Sequence, residues 1–431
     1  MVKEDFIKKD NNNFFDKKNQ EKSYSTNPLD NHLIEKKIIE TLKNEKNLDG
    51  ILKTLENIYD NTINKINNNV LSNLNIAYIL HRFPTLTQTF VLNEIKWLKN
   101  NGFNVKVFCY NNPLKPIDLD FPLDVIRFDS SEDLFYNLEN LLIENNIHLM
   151  HTHFVYPTAT EFTFPIAEKL KIPFTVFAHA YDIFTKYSNE KNNIYEITHS
   201  NYCKAIFTLS NYHKNFLIEK GVPEEKIILT HQAVEFEINE IKPKEFNTPK
   251  KIVSISRFVE KKGYDVLIKT AELLQDEKYE FSIYGFGPLE KELKDMINER
   301  NLSNISIEGS LNGPEEVNKI LQESDLLVAP CKIAESGDRD GFPTVILEGM
   351  AAGIPILTTS ISAIPEIIFD EKNGFIVPPE NPNELASKIK HIFSLPPEKI
   401  FEIKTNAQND ILKIGNVENT MKTITSTWLK G

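Results

Sequence analysis

The densest chemistry in this 431-residue sequence is the run Asp340-Gly341-Phe342-Pro343-Thr344-Val345-Ile346-Leu347-Glu348-Gly349-Met350-Ala351-Ala352-Gly353. Pro343 suits the first turn of a helix, where its missing N–H is not needed. The amides of Thr344 and Val345 would then be free at the helix start, where peptide dipoles favour negative charge and a diphosphate is a natural guest. Asp340 falls in the loop before that helix and Glu348 about a turn and a half inside it, so the two acids can flank one ligand at different heights. A second run, Ser256-Arg257-Phe258-Val259-Glu260-Lys261-Lys262-Gly263, offers cations. Arg257 can place forked hydrogen bonds on a diphosphate and Lys262 can meet it as a point charge.

Tyr284-Gly285-Phe286-Gly287-Pro288 closes a β-rich run, and Gly285 and Gly287 let backbone approach a ligand closely. Gly309 ends the next such run and either lines the same wall or makes an ordinary turn. In the first half, Phe177-Ala178-His179-Ala180-Tyr181-Asp182 follows a buried-looking run, which makes His179 and Asp182 the catalytic candidates there. Thr87, Thr89 and Glu94 offer hydroxyls and a carboxylate to donor or acceptor, with helix capping by Thr87 the equal alternative. Two metal patterns are set aside. Asp338-Arg339-Asp340 runs straight into the proline-started helix, and His151 and His153, with His148 close by, share a strand face but lack a further ligand nearby. No metal and no cofactor is expected.

These groups need elements to position them. From Leu74 onward short β-rich runs alternate with helical patterns, the signature of parallel βαβ units. Strands are expected over 75–80, 105–109, 125–128, 147–151, 174–178, 205–209 and 226–230, with helices over 87–100 and 158–170. After a polar, proline-bearing linker near 240–250 the alternation restarts, with strands over 251–256, 280–284, 305–308, 326–329 and 355–358. The sequence therefore divides into a polar tail (1–30), an amphipathic helical extension (31–73), two doubly wound α/β domains (74–245 and 246–408) and a last helix (409–431). The tail is too poor in aliphatics to offset the entropy of ordering, so disorder is expected there.

Length fits two domains of roughly 170 residues plus an extension. A content of 41% hydrophobic and 26% charged residues permits buried cores, and no apolar run approaches the roughly 20 residues of a membrane span. A net charge of −12 repels a phosphate backbone, which excludes nucleic acid as the expected partner. Cys109, Cys203 and Cys331 lie too far apart for a zinc or redox pair, which suits a reducing cytoplasm, and the N-terminus lacks the apolar stretch of a secretory signal.

The pattern of acid, glycine, hydrophobic residue and proline, then a second acid and a small-residue tail, resembles the signature of family 4 glycosyltransferases. The arginine and pre-glycine lysine at Arg257 and Lys262 match that family in register and order. The resemblance covers roughly residues 74–400 and implies the GT-B fold, two Rossmann-like domains facing a cleft, and a retaining reaction. It implies that Asp340 contacts hydroxyls of the donor sugar, that Glu348 holds the nucleotide ribose, and that the Pro343, Thr344 and Val345 backbone holds the diphosphate. Asp340 departs from the commoner glutamate by one methylene. Gly285 and Gly287 inherit a place beside the nucleotide, and His179 a place near the reacting sugar. The stretch from His81 to Glu94 resembles the branch that builds capsular, colanic-acid-like and other exopolysaccharides. The expected function is therefore transfer of a sugar from a nucleotide-diphosphate donor to a glycan or lipid-linked acceptor, in the cytoplasm or peripherally at the inner face of the membrane. Rival readings are a sugar-nucleotide epimerase of the same fold and a non-enzymatic, partner-binding subunit.

Overall fold

The computed structural model describes residues 74–428, apart from 86–87, 114–117, 129–133, 235–236, 242–244, 276 and 415. The expected tail, the helical extension and Thr87 lie outside the described residues. The first lobe contains β1 (Asn75–Arg82), α1 (Thr89–Asn100), β2 (Asn104–Asn111), β3 (Asp124–Arg127), α2 (Leu134–Glu144), β4 (Leu149–His153), a π-helical turn (Val155–Thr163), α3 (Phe164–Leu170) and β5 (Phe174–Phe177). It continues through three short helices, α4 (Ala180–Phe184), α5 (Lys186–Lys191) and α6 (Ile194–His199), to β6 (Cys203–Thr208), α7 (Asn211–Glu219) and β7 (Ile227–Leu229). The second lobe contains β8 (Lys250–Ile255), α8 (Tyr264–Leu273), β9 (Tyr279–Tyr284), α9 (Glu290–Glu299), β10 (Ile305–Gly309), α10 (Pro314–Glu323), β11 (Leu326–Ala329) and α11 (Thr344–Ala352). It closes with β12 (Ile356–Thr359), β13 (Phe375–Val377), α12 (Pro382–Ser394), α13 (Pro397–Ile414) and α14 (Val417–Trp428).

The strand orders are β3-β2-β1-β4-β5-β6-β7 and β10-β9-β8-β11-β12-β13, and the paired strands run parallel. Central strands such as Leu149–His153 and Leu326–Ala329 are buried along their whole length, as parallel strands covered by helices on both faces must be. The order reverses between β1 and β4 in one sheet and between β8 and β11 in the other. Crevices at those two points, beyond the carboxyl ends of the strands, are where open α/β sheets take ligands.

Several boundaries differ from the sequence expectation. The strand expected over 147–151 begins two residues later, which seats His151 and His153 inside β4 and leaves His148 before it, its Nδ1 accepting from the Asn75 amide at 3.0 Å. The helix expected from 158 is preceded by the π-helical turn, and β13, three residues long, carries too little pattern to be seen. Pro343 stands immediately before α11 at φ −60°, ψ 119°, an extended pair of angles, so the helix proper opens at Thr344.

One hydrophobic cluster joins the lobes, running from Ile76, Val91 and Leu98 to Ile346, Met350, Met421 and Trp428. The last helix, α14, packs against α1 and β6 of the first lobe. Glu366 reaches from the second lobe to the start of α7, where its carboxylate accepts from the amides of Asn211 and Tyr212 at 2.9 and 2.8 Å, serving as a helix cap supplied from outside the helix.

Candidate active site

The second-lobe crevice is built from two loops. After β8 the chain passes Ser256 to Gly263, and after β11 it passes Pro330 to Pro343. They meet where Gly263 opens α8 at φ +68°, so close that a Cβ there would lie 1.8 Å from the Pro330 carbonyl oxygen. That contact sets the two lysines of the first loop against the two acids of the second. Lys262 Nζ lies 2.5 Å from Asp340 Oδ2, while Lys261 Nζ lies 3.3 Å from Asp340 Oδ1 and 3.0 Å from Asp338 Oδ1. Burial works against a charged Asp340, yet Lys262 and Lys261 outweigh it and hold its carboxyl well below the usual carboxylate range. Burial likewise opposes the charge on Lys262, and Asp340 reverses that, so its pKa is raised. Cys331, whose Sγ is 3.6 Å from Asp340 Oδ2, is pushed up by burial to about 12 and stays a neutral thiol. Lys261 and Cys331 were not read as site residues from sequence, and Asp338 entered only in a metal pattern that was set aside; the Lys261-Lys262 doublet was the available signal for Lys261.

Arg257 is exposed on the same loop, and while its carbonyl accepts from the Val259 amide at 2.9 Å, no hydrogen bond or ion pair with the described residues engages its guanidinium. Its neighbour Phe258 is fully buried and fastens the loop, donating its N–H to the Phe286 carbonyl at 2.8 Å. Gly285 and Gly287 are what permit this. A Cβ on Gly285 would stand 1.8 Å from the Ser256 carbonyl oxygen, and one on Gly287 would stand 2.5 Å from that of Phe258. The two glycines thus bring the turn after β9 against the Arg257 loop in a backbone-to-backbone approach. At Gly309 a Cβ would meet open space.

Thr344 and Val345 form the first residues of α11, and Glu348 is half-buried one turn on. Burial pushes the Glu348 carboxyl up to about 7, with Lys262 pulling the other way. Glu348 lines a cavity of about 430 Å³ between the lobes, to which α1 contributes Thr89, Asn93 and Lys96 and the second lobe Asn312 and Asn318. Thr89 therefore faces this space.

The first-lobe candidates form a separate group. His179 ends the β5 segment, packed against Phe90, Phe154 and Phe177. Burial, reinforced by His153 and His213, lowers its pKa well below the ordinary value, so the ring is neutral. Asp182 is fully buried and both its oxygens are committed to backbone amides, Oδ1 to His179 at 2.8 Å and Oδ2 to Val155. It holds the ends of β4 and β5 together and reaches no open space, so the structure makes it a positioning residue for His179. Burial raises its pKa to about 8. Glu94 is buried as well, among Tyr78, His151 and His153. The sequence reading found no further ligand beside His151 and His153; the fold supplies one, with a Glu94 oxygen and the two imidazoles placing ligand atoms within 4.8 Å of one another. His213 on α7 links the two groups, since a Cβ on Gly341 would sit 2.8 Å from its Cε1.

Residues 87–237 match the description of glycosyltransferase family 4, and residues 235–410 that of glycosyl transferases group 1. The chain thus carries a glycosyltransferase family 4 domain followed by a glycosyl transferases group 1 domain, the two together spanning residues 87–410. Among curated relatives it is 31% identical over 187 residues to the amylovoran biosynthesis glycosyltransferase AmsK of Erwinia amylovora, covering 43% of this chain and 46% of that one. It is 29% identical over 198 residues to the putative colanic acid biosynthesis glycosyltransferase WcaL of Escherichia coli, covering 45% and 49%. The chain thus spans about half the length of the curated relatives it matches. Its fold is similar to that of a glycosyltransferase from Rickettsia africae, with a TM-score of 0.64 and 17% identity, covering 83% of this chain and 100% of that one. It is also similar to Anabaena Alr3699/HepE, solved in complex with UDP, with a TM-score of 0.68 and 16% identity over 82% and 99%. These likenesses establish the two-domain GT-B architecture.

Proposed function

We propose that this glycosyltransferase moves a sugar from a nucleoside-diphosphate donor to a hydroxyl of a glycan or lipid-linked acceptor, with retention of anomeric configuration, in exopolysaccharide assembly. The observation that carries this reading is the Lys261, Lys262 and Asp340 cluster beside the start of α11, with Glu348 a turn further on facing the interlobe cavity. Two ammonium groups and the free amides of Thr344 and Val345 are suited to a diphosphate, and exposed Arg257 is free to fork onto it. Glu348 takes the ribose hydroxyls, while Asp340 and His179 orient the sugar. Supporting the donor class, the HepE structures contain UDP and UDP-glucose; supporting the product class, the matched curated relatives are named for amylovoran and colanic acid biosynthesis.

In this reading the bond from the sugar's C1 to the diphosphate oxygen breaks as the bond from C1 to the acceptor oxygen forms on the same face. The acceptor's proton passes to the departing diphosphate. Lysines and helix amides stabilise the charge developing there, so the chemistry is electrostatic and needs no metal in this scheme. Among the described residues no helix is long and apolar enough to cross a membrane, and a lipid-linked acceptor would draw the protein to a membrane surface peripherally.

The test is a thermal-stabilisation screen of purified protein against nucleoside-diphosphate sugars, followed by transfer assays on the donor that binds. Lys262→Ala is expected to cut kcat by about 10²–10³, the cost of removing one transition-state charge partner, with the protein still folded. Unchanged transfer by Lys262→Ala would sink the assignment, and conversion of the donor without any acceptor would favour the epimerase.

A further inference from the structure

Beneath the first-lobe crevice lies a line of polar groups of which the proposed reaction uses only the outer end. Tyr78 Oη donates to Glu94 Oε2 at 3.1 Å, and His153 Nε2 lies 3.1 Å from the same oxygen. His153 Nδ1 in turn lies 3.0 Å from His179 Nε2. Tyr78, Glu94 and His153 have no exposed surface and His179 has 6%, so no water is at hand to rearrange these bonds. On the flank, His151 Nδ1 shares a hydrogen bond with Thr175 Oγ1 at 2.8 Å, and its Nε2 is unpartnered 3.8 Å from Glu94 Oε2.

The placement of hydrogens follows from one end of this line. A carboxylate oxygen only accepts, so the nitrogen of His153 facing it carries the hydrogen. In its neutral form His153 has one such hydrogen, which leaves its Nδ1 as a lone pair. His179 Nε2 must then be the donor between the two rings, and its own Nδ1 carries no hydrogen, in keeping with the capping box in which the His179 side chain accepts from the Asp182 amide. We propose that Glu94, acting through His153, is a positioning residue that fixes the tautomer of His179, so that His179 Nδ1 stays an acceptor, toward the Asp182 amide and a hydroxyl of the bound sugar. The last clause rests on the sugar-orienting role given to His179 above; the tautomer itself does not. Outer partners of this kind decide what a functional histidine can do by fixing the hydrogen on its far nitrogen. Of the three residues whose ligand atoms cluster within 4.8 Å, Glu94 and His153 are read here as hydrogen-bonded to each other, because Tyr78 and His153 both approach one carboxylate oxygen at hydrogen-bond distance.

The experiment uses the full chain labelled with ¹⁵N-histidine, whose long-range ¹H–¹⁵N spectra show which ring nitrogen carries hydrogen. His179 is assigned from the signal lost in His179→Gln. The unaltered protein is expected to show His179 with hydrogen on Nε2 and a bare Nδ1. In Glu94→Leu the acceptor is gone, so the His153 hydrogen moves to Nδ1 and donates to His179 Nε2, and the His179 hydrogen moves to Nδ1. Sugar transfer should fall about tenfold in kcat, the worth of one hydrogen bond to a neutral group, with UDP affinity unchanged. Glu94→Gln is the conservative companion: Tyr78 and His153 are both donors toward one oxygen, so the glutamine carbonyl turns to them, the original tautomer persists and most of the lost rate returns. Three results overturn the proposal: hydrogen on His179 Nδ1 in the unaltered protein, the same His179 tautomer in Glu94→Leu as in the unaltered protein, or one equivalent of zinc in protein purified without chelator. A tautomer that flips with no change in transfer upholds the positioning by Glu94 and instead removes His179 from the proposed reaction.

Discussion

Asp340 and Glu348 are two carboxyls of one motif whose surroundings drive them apart. Asp340 is clasped by Lys262 and Lys261 and stays charged, whereas burial lifts Glu348 to about 7. An ionised Glu348 accepts from ribose hydroxyls more strongly than the neutral acid does, so donor affinity is expected to rise with pH through 7. If the ionised form alone binds, the dissociation constant falls about tenfold from pH 6 to pH 8. A nucleoside-diphosphate sugar is the proper probe, since its esterified phosphates do not titrate in that window, and calorimetric titration at several pH values makes the measurement. Glu348→Gln should bind with flat pH dependence; a slope that persists in that variant would assign it to another group. The donor-free fold behaves oppositely. Its folded state holds the Glu348 proton more tightly than the unfolded chain does, so stability declines as pH climbs from the ordinary 4.5 towards 7. Motif spacing made Lys262, Asp340 and Glu348 legible as candidates, because each sits within a short local pattern. It could not show the 2.5 Å pairing of Lys262 with Asp340, or Glu94 meeting His153, since these join residues 78 and 59 positions apart.

At the scale of elements, the site depends on turns that touch one another. The alternation of apolar runs announced the two parallel sheets, because strands buried on both faces read as continuous hydrophobic segments. Where a strand is only three residues long, as in β13, or where a π-helical turn intervenes, as after β4, the periodic signal fails. The glycines after β9 show a further limit. Sequence marks a place where backbone must come close but does not say to what, and here the neighbour is the Arg257 loop. Gly285→Ala would drive a methyl to 1.8 Å from the Ser256 carbonyl oxygen, at a φ of +151° that side chains avoid. The loop must move, and Arg257 and Lys262 move with it. We expect a loss of about 3 kcal/mol in stability together with at least tenfold weaker donor binding, read by chemical denaturation and calorimetry. At Gly309, where a Cβ meets open space, alanine should cost much less because only backbone strain at φ +92° opposes it. Equal losses at the two positions would mean that conformation, not contact, governs both.

Over the whole molecule the lobes are tied by elements that start in one and finish in the other. Trp428, near the end of α14, is 3% exposed, and its Nε1 donates to Thr175 Oγ1 at 3.0 Å. The same hydroxyl is bonded to His151, whose ring lies 5.7 Å from the indole. The last helix thus supports the histidine group from below, while Lys262, Asp340 and Glu348 stand in the second lobe. Trp428→Ala would leave a cavity of indole size and a hydroxyl short of a partner, costing about 3–5 kcal/mol. For a protein of this size that lowers Tm by about 3–6 °C. Trp428→Phe restores most of the volume without the N–H and should recover more than half of that loss. Because Lys262, Asp340 and Glu348 lie in the other lobe, nucleoside-diphosphate-sugar binding measured well below the melting transition should stay within about twofold of normal in both variants, a change under 0.5 kcal/mol, while sugar transfer falls in Trp428→Ala. Loss of that binding in step with transfer would show instead that α14 sets the geometry of the whole cleft, with the second lobe depending on it as much as the histidines do.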